Sequence, residues 1–199
     1  MPYENEIIIA NVTSEGLVAG TEAAGADAGK ILIEEAGILS NGTASATGNI
    51  VVSNGGLVSG VEVKRNGSMT ISGGGTVSNA NIESGAVVSI MSGATLDGGR
   101  IYGGADMHSS TCMVFSGGTA KNIAISGARM FVNYGGLGIS NSVDRGVGYL
   151  VWGEAQDTTV NSGWFMIYDG ATASRTTVRK GKLDVSSGAY ADSVTVSGG

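Results

Sequence analysis

The sequence predicts an all-β fold, a single-stranded parallel β-helix (β-solenoid) of about ten coils, each 17–19 residues long. Three observations carry this. First, Ile50-Val51-Val52-Ser53-Asn54-Gly55, Met69-Thr70-Ile71-Ser72-Gly73-Gly74 and Val88-Ser89-Ile90-Met91-Ser92-Gly93 repeat one pattern at intervals of 19 residues. Second, an offset series, Val61-Glu62-Val63, Ala80-Asn81-Ile82 and Gly99-Arg100-Ile101, keeps the same interval, so one repeat reads as two short alternating strands. Third, 35 glycines and a single proline punctuate a chain that is 42% hydrophobic, too apolar and too regular for a disordered linker.

Residues 1–11 stand outside the rhythm. Ile7-Ile8-Ile9 behind Glu4 and Glu6 suits an N-terminal cap, because a stacked sheet has to protect its end. Residues 12–199 form the repeat domain. Gly16-Leu17-Val18-Ala19-Gly20-Thr21-Glu22-Ala23 parallels Gly56-Leu57-Val58-Ser59-Gly60-Val61-Glu62-Val63, and inward pairs follow at Ile31/Ile33, Ile50/Val52, Met69/Ile71 and Val88/Ile90. Cys112 and Val114 come 24 residues after Val88 and Ile90, which places an insertion of about five residues around Ala105 to Thr111. Beyond it the expected inward pairs are Met130/Val132, Gly148/Leu150, Phe165/Ile167 and Leu183/Val185. The second strand continues through Ile123/Ile125, Asn141/Val143, Thr158/Val160 and Thr176/Val178. A third small apolar position follows the first turn at Val58, Val77, Leu96, Ala120, Ala173 and Ala191. The rhythm runs to Ser197-Gly198-Gly199, so the chain reads as part of a longer array.

Residues i and i+2 of a strand share a face, so stacking the coils turns each inward pair into an aliphatic ladder. Cys112 falls on such a position as a small core residue. Glycine suits the corners, where the backbone turns left-handed or approaches a neighbour too closely for a Cβ.

The chemistry is mostly exclusion. A net charge of −6 disfavours nucleic acid, and the basic run from Arg175 to Lys182 reads as a solvated turn. No segment has the length of a transmembrane helix, and Met1 to Ala10 lacks the basic start of a Sec-type leader. His108, the only histidine, lies with Asp106, Ser109, Ser110 and Cys112 at the insertion and reads as a loop histidine. The acidic residues are scattered, and no phosphate loop, metal motif or cofactor motif is present.

The stretches Val114-Phe115-Ser116-Gly117-Gly118-Thr119-Ala120 and Thr158-Thr159-Val160-Asn161-Ser162-Gly163 resemble the strand–loop–strand repeats of AIDA-type autotransporter passengers, which are bacterial surface adhesins. The resemblance spans about residues 12–199. It implies a right-handed parallel β-helix, a secreted or cell-surface location, and adhesion or self-association. It also implies a glycosyltransferase partner that modifies serines in the repeats, with Ser72, Ser116, Ser126 and Ser162 as acceptors.

Nine of the eleven aromatic residues lie between Tyr102 and Tyr168. The outward position held by Val51, Thr70 and Ser89 in early coils is expected to hold Met113, Phe131, Tyr149 and Met166 later. Phe115, Val151 and Tyr168 would share that face, with Tyr134 and Trp152 beside them. Such a strip reads as a contact surface for another copy of the rod or for a host or cell-surface ligand, unless the inserted loop covers it. The function expected is therefore a non-enzymatic structural or adhesive rod. The alternative of a different class is a carbohydrate-active β-helix enzyme or glycan-binding module with the aromatics as sugar platforms. On this reading, charged substitution at Phe131 and Tyr149 abolishes association and leaves the β-rich circular dichroism unchanged.

Overall fold

The computed structural model describes residues 8–12, 17–19, 22–23, 29–35, 37–104 and 110–198. At 8–12, 17–19, 22–23, 147, 148 and 150 it describes the backbone alone. The chain is a parallel β-helix. One ten-stranded sheet runs its length, from Ile8–Val12 through Lys30–Ile33, Asn49–Val52, Ser68–Ile71 and Val87–Ile90, then through Thr111–Val114, Arg129–Val132, Val147–Val151 and Trp164–Ile167 to Lys182–Val185. Neighbouring strands pair in parallel and in register, Met69 between Ile50 and Val88, and Thr70 between Val51 and Ser89. The expected cap overlaps this sheet from Ile8 on, and its first seven residues lie outside the described ones.

The repeat has three faces where the spacing suggested two strands. The small apolar position after the first turn belongs to a strand of its own, such as Leu57–Ser59, and a corner separates it from Glu62–Val63. Alternation alone hides that corner, because the two strands merge into one bent strand in Thr76–Ile82, Thr95–Tyr102 and Thr119–Ser126. The corner residue is left-handed in coil after coil: Asn41, Gly60, Asn79, Gly98 and Asn122, then Ser140, Asp157 and Arg175, with φ between 53° and 78°. Asn and Gly tolerate that conformation, whereas Arg175 at φ 55° needs outside support. Its guanidinium donates Nε–H to Asp157 Oδ1 at 2.6 Å and Nη2–H to Asp157 Oδ2 at 2.9 Å, one corner back.

The insertion falls where the spacing placed it, since Val88 pairs with Cys112 and Ile90 with Val114. Ser110 is buried and its hydroxyl donates to the Tyr102 carbonyl at 2.9 Å, fastening the far side of the insertion to the third face. Residues 105–109, including Asp106, His108 and Ser109, lie outside the described residues.

Inside, equivalent residues form columns. Ile33, Val52, Ile71, Ile90, Val114, Val132, Val151 and Ile167 make one, and all are fully buried. Met69, Val88 and Met130 face inward as expected, as does Cys112.

The expected Gly148/Leu150 pair is overturned: Tyr149 and Val151 point inward, each 0% exposed. The corner leading into this strand holds one residue more than its neighbours, and the pairing slips between Val147 and Tyr149. Met130 therefore stacks on Tyr149, and Tyr149 on Phe165. Even spacing gave the wrong parity, because a one-residue slip exchanges the two faces of a strand.

Two compensations admit the phenol. Opposite it, the second-face column shrinks from Leu96 to Ala120 to Gly138, and a Cβ on Gly138 would overlap the Tyr149 hydroxyl. That hydroxyl accepts a hydrogen bond from buried Asn141 Nδ2 at 3.1 Å. Asn141 is itself fixed, its Oδ1 accepting from Ile123 N–H at 2.9 Å and its Nδ2 also facing the Ala120 carbonyl at 3.2 Å. We expect Gly138→Ala to destabilise the rod by about 1–3 kcal/mol in urea unfolding. Adding Tyr149→Phe should recover part of that loss, a coupling that a double-mutant cycle would measure.

Candidate interaction surface

Four elements of the first face and the corner after it build an aromatic flank. Met113 and Phe131 are register neighbours on the outside, and the backbone pairing continues through Leu150 to Met166. Leu150 thus takes the place expected of Tyr149. One step along, Phe115, Asn133, Trp152 and Tyr168 occupy equivalent positions, each donating its N–H to the last inward residue of the preceding coil. Phe131 and Trp152 stack at 6.1 Å between ring centroids, and Trp152 and Tyr168 at 4.3 Å with planes only 2° apart. The Tyr168 hydroxyl rests 3.7 Å from Met166 Sδ. Each such ring pair adds about 0.5–1.5 kcal/mol beyond its buried area.

Seven of the eight expected surface residues therefore meet on this flank: Met113, Phe115, Phe131, Tyr134, Trp152, Met166 and Tyr168. Tyr149 does not, and Val151, expected outside, is buried too. The strip is half-buried apart from Tyr134, which is 64% exposed.

Trp152 shares the register of Phe115 and Tyr168, one position away from where the spacing put it, because the slip ahead of Tyr149 carries through the strand; the corner that follows is short. Four residues, 133–136, join Val132 to Leu137, but only Trp152 and Gly153 join the equivalent Val151 and Glu154. The missing pair leaves a notch of about 450 Å³ walled by Tyr134, Gly135, Trp152, Glu154 and Gly170. Tyr134 crosses it, its hydroxyl donating to the Asp169 carbonyl at 3.2 Å. A second depression of about 380 Å³ opens on the other side of Tyr134, between Met113, Phe131 and Trp152.

Beyond the flank, Trp164 was missed by the sequence reading, although Trp164, Met166 and Tyr168 alternate outward on one strand. Its Nε1–H donates to Asp184 Oδ2 at 2.8 Å, and Lys182 Nζ lies 4.3 Å from the ring centroid. The Lys182 ammonium, first, and the indole N–H hold the Asp184 carboxyl below its ordinary range. Much of the basic run from Arg175 to Lys182 is thus paired: Arg175 with Asp157 and Arg179 with Asn161 at 3.2 Å along the rod, and Lys182 with Asp184 within its own strand.

Of the serines, Ser116 and Ser162 are exposed and Ser72 and Ser126 half-buried. The Ser162 hydroxyl is engaged with the Asp144 carbonyl.

Among solved structures, the chain is similar to the crystal structure of a TibC-catalysed, hyper-glycosylated fragment of TibA. The TM-score is 0.79 and the identity 24%, over 94% of this chain and 74% of that one. At this identity the likeness establishes the fold, a parallel β-helix. No protein-family model matches the chain, and no curated protein matches it in sequence.

Behind the flank, two buried acids fix the alkaline limit of the fold. Burial pushes the Cys112 thiol up to about 12 from 9.0, and raises the Tyr149 phenol well above its ordinary value. Both favour the protonated form in the folded state, so their contribution is complete below pH 9 and fades as pH rises toward 12. The urea midpoint should therefore fall steadily above pH 9. Cys112 should ignore a thiol reagent at pH 8 until urea opens the rod. Fast labelling of the native protein would contradict the burial.

Proposed function

We propose that this chain is a non-enzymatic passenger rod, displayed on or released from a bacterial surface, that works by presenting repeated outward positions and one adhesive flank. The observation that carries the reading is the apolar, largely aromatic strip, six residues aligned by strand register with Tyr134 in the corner beside them. Monomeric proteins seldom leave such a contiguous apolar patch in water. The partner proposed is a second copy of the rod, since parallel rods could pair their flanks along several coils at once. A host or cell-surface ligand is the other occupant to test. The aromatic sugar-platform alternative is less favoured on this flank, because Tyr168 stacks directly on one face of Trp152 and Phe131 lies toward the other.

Phe131→Asp and Trp152→Asp together should abolish association in sedimentation velocity while the β-rich circular dichroism is retained, with the melting temperature lowered by the loss of the two ring pairs. Association that survives both changes would reject the flank. Tyr149 is unsuitable for this test, since a carboxylate at its buried position would unfold the coil.

The same reading includes serine glycosylation by a dedicated transferase, supported by the likeness to the glycosylated TibA fragment. Ser116 is the favoured acceptor, being exposed in a corner, followed by Ser162, Ser72 and Ser126. Intact mass of protein from its native host should show increments of whole sugar residues, and Ser116→Ala should remove one. An unmodified mass would reject this part alone.

A further inference from the structure

The third face carries a groove that neither the flank nor the corners explain. Asn81, Arg100 and Ala124 are register neighbours on its outer side, followed by Ser142. Ala124 is too small to fill the space between its neighbours, and a depression of about 650 Å³ opens there, with Tyr102, Ser126 and Asp144 at its edges. That volume suits a small ligand of one or two sugar rings. The floor includes Gly99, where a Cβ would overlap the Ala80 carbonyl, so the chain keeps this spot bare.

Three features make the groove a built site. Asp144 is the extra residue of a β-bulge: Ile125 pairs with Val143, but Ser126 pairs with Arg145. Bulges re-aim side chains, and this one turns the Asp144 carboxylate to the groove. Asn161 Nδ2 holds Asp144 Oδ1 at 2.6 Å, leaving the second carboxylate oxygen to accept. Arg100 is exposed and forms no ion pair or hydrogen bond among the described residues. Asn81, half-buried, lines the groove beside them with its side-chain amide.

We propose that this groove binds an acidic saccharide, its carboxylate on the Arg100 guanidinium and its hydroxyls on Asp144 and Asn81. The guanidinium fork matches a carboxylate in two parallel hydrogen bonds. The carboxylate oxygen left free on Asp144 calls for a ligand that also carries a donor, as a sugar hydroxyl does and a bare inorganic anion does not. The Asp144 charge and the net charge of −6 repel polyanions such as nucleic acid. Tyr102, 38% exposed at the rim, offers a ring to the apolar side of a sugar. This proposal is independent of the flank.

The test is calorimetric titration of the full chain with galacturonate and with sialyllactose, each carrying a single carboxylate, using lactose as the neutral control. At least one acidic sugar should bind and lactose should not. Arg100→Ala should weaken binding at least ~10-fold, with Arg100→Lys between it and the parent. Arg129→Ala, on the first face, should change nothing, and the Phe131/Trp152 variants should still bind. Asp144→Ala should also weaken binding; if it disturbs the bulge, Arg100→Ala decides, because an exposed side chain can be truncated without loss of fold. Failure of both acidic sugars to bind, equal binding of lactose, or unchanged affinity in Arg100→Ala would each overturn the proposal.

Discussion

From Ser53 N–H to the Ile33 carbonyl, from Ser72 to Val52 and from Met91 to Ile71, bonds of 2.8–2.9 Å run along the rod, each tying one coil to the coil before it. They fix like positions above one another, and every other property follows. A residue cannot be chosen for its own coil alone, because it becomes a rung between two others. Nearest-neighbour stacking of this kind makes the protein a sum of interfaces with no single centre.

The core shows the constraint at work. As the first-face column grows from Cys112 through Met130 to Tyr149 and Phe165, the second-face column opposite it holds only Ala120, Gly138, Ala155 and Ala173. Small residues on one face make room for the large ones on the other. The outer surface obeys the same rule with different chemistry: Phe131, Trp152 and Tyr168 stack because register puts them there, and Asp157 meets Arg175 for the same reason.

Much of this was legible in the residues. The parallel stack, the insertion before Cys112, the buried thiol and the inward ladders followed from a fixed interval and from alternation, which are local signals. Seven of the flank residues could be found the same way. What escaped was any change in the count between strands. Counting 18 residues per coil through Gly148 put Tyr149 outside, whereas an extra corner residue before it reversed the face, and a shortened corner after the strand restored the count. Extra or missing residues leave no compositional mark. The one available clue was volume, since Gly138 sits where the equivalent residues bear side chains. The third-face groove was invisible for a similar reason: it arises from an alanine, a glycine and a bulge, and no motif encodes their conjunction.

The shortened corner at Trp152 and Gly153 has a mechanical consequence. Several corners are linked main chain to main chain, as Gly55 is to Gly73, Gly117 to Gly135 and Gly170 to Gly188. Across the notch the Tyr134 hydroxyl reaches the Asp169 carbonyl, so a side chain supplements the bond from Gly153 N–H to the Val132 carbonyl in the short corner. A lever arm with one soft joint flexes at that joint, and here the joint lies beside the aromatic strip, where a slight bow of the shaft would alter how much of the strip a flat partner can touch.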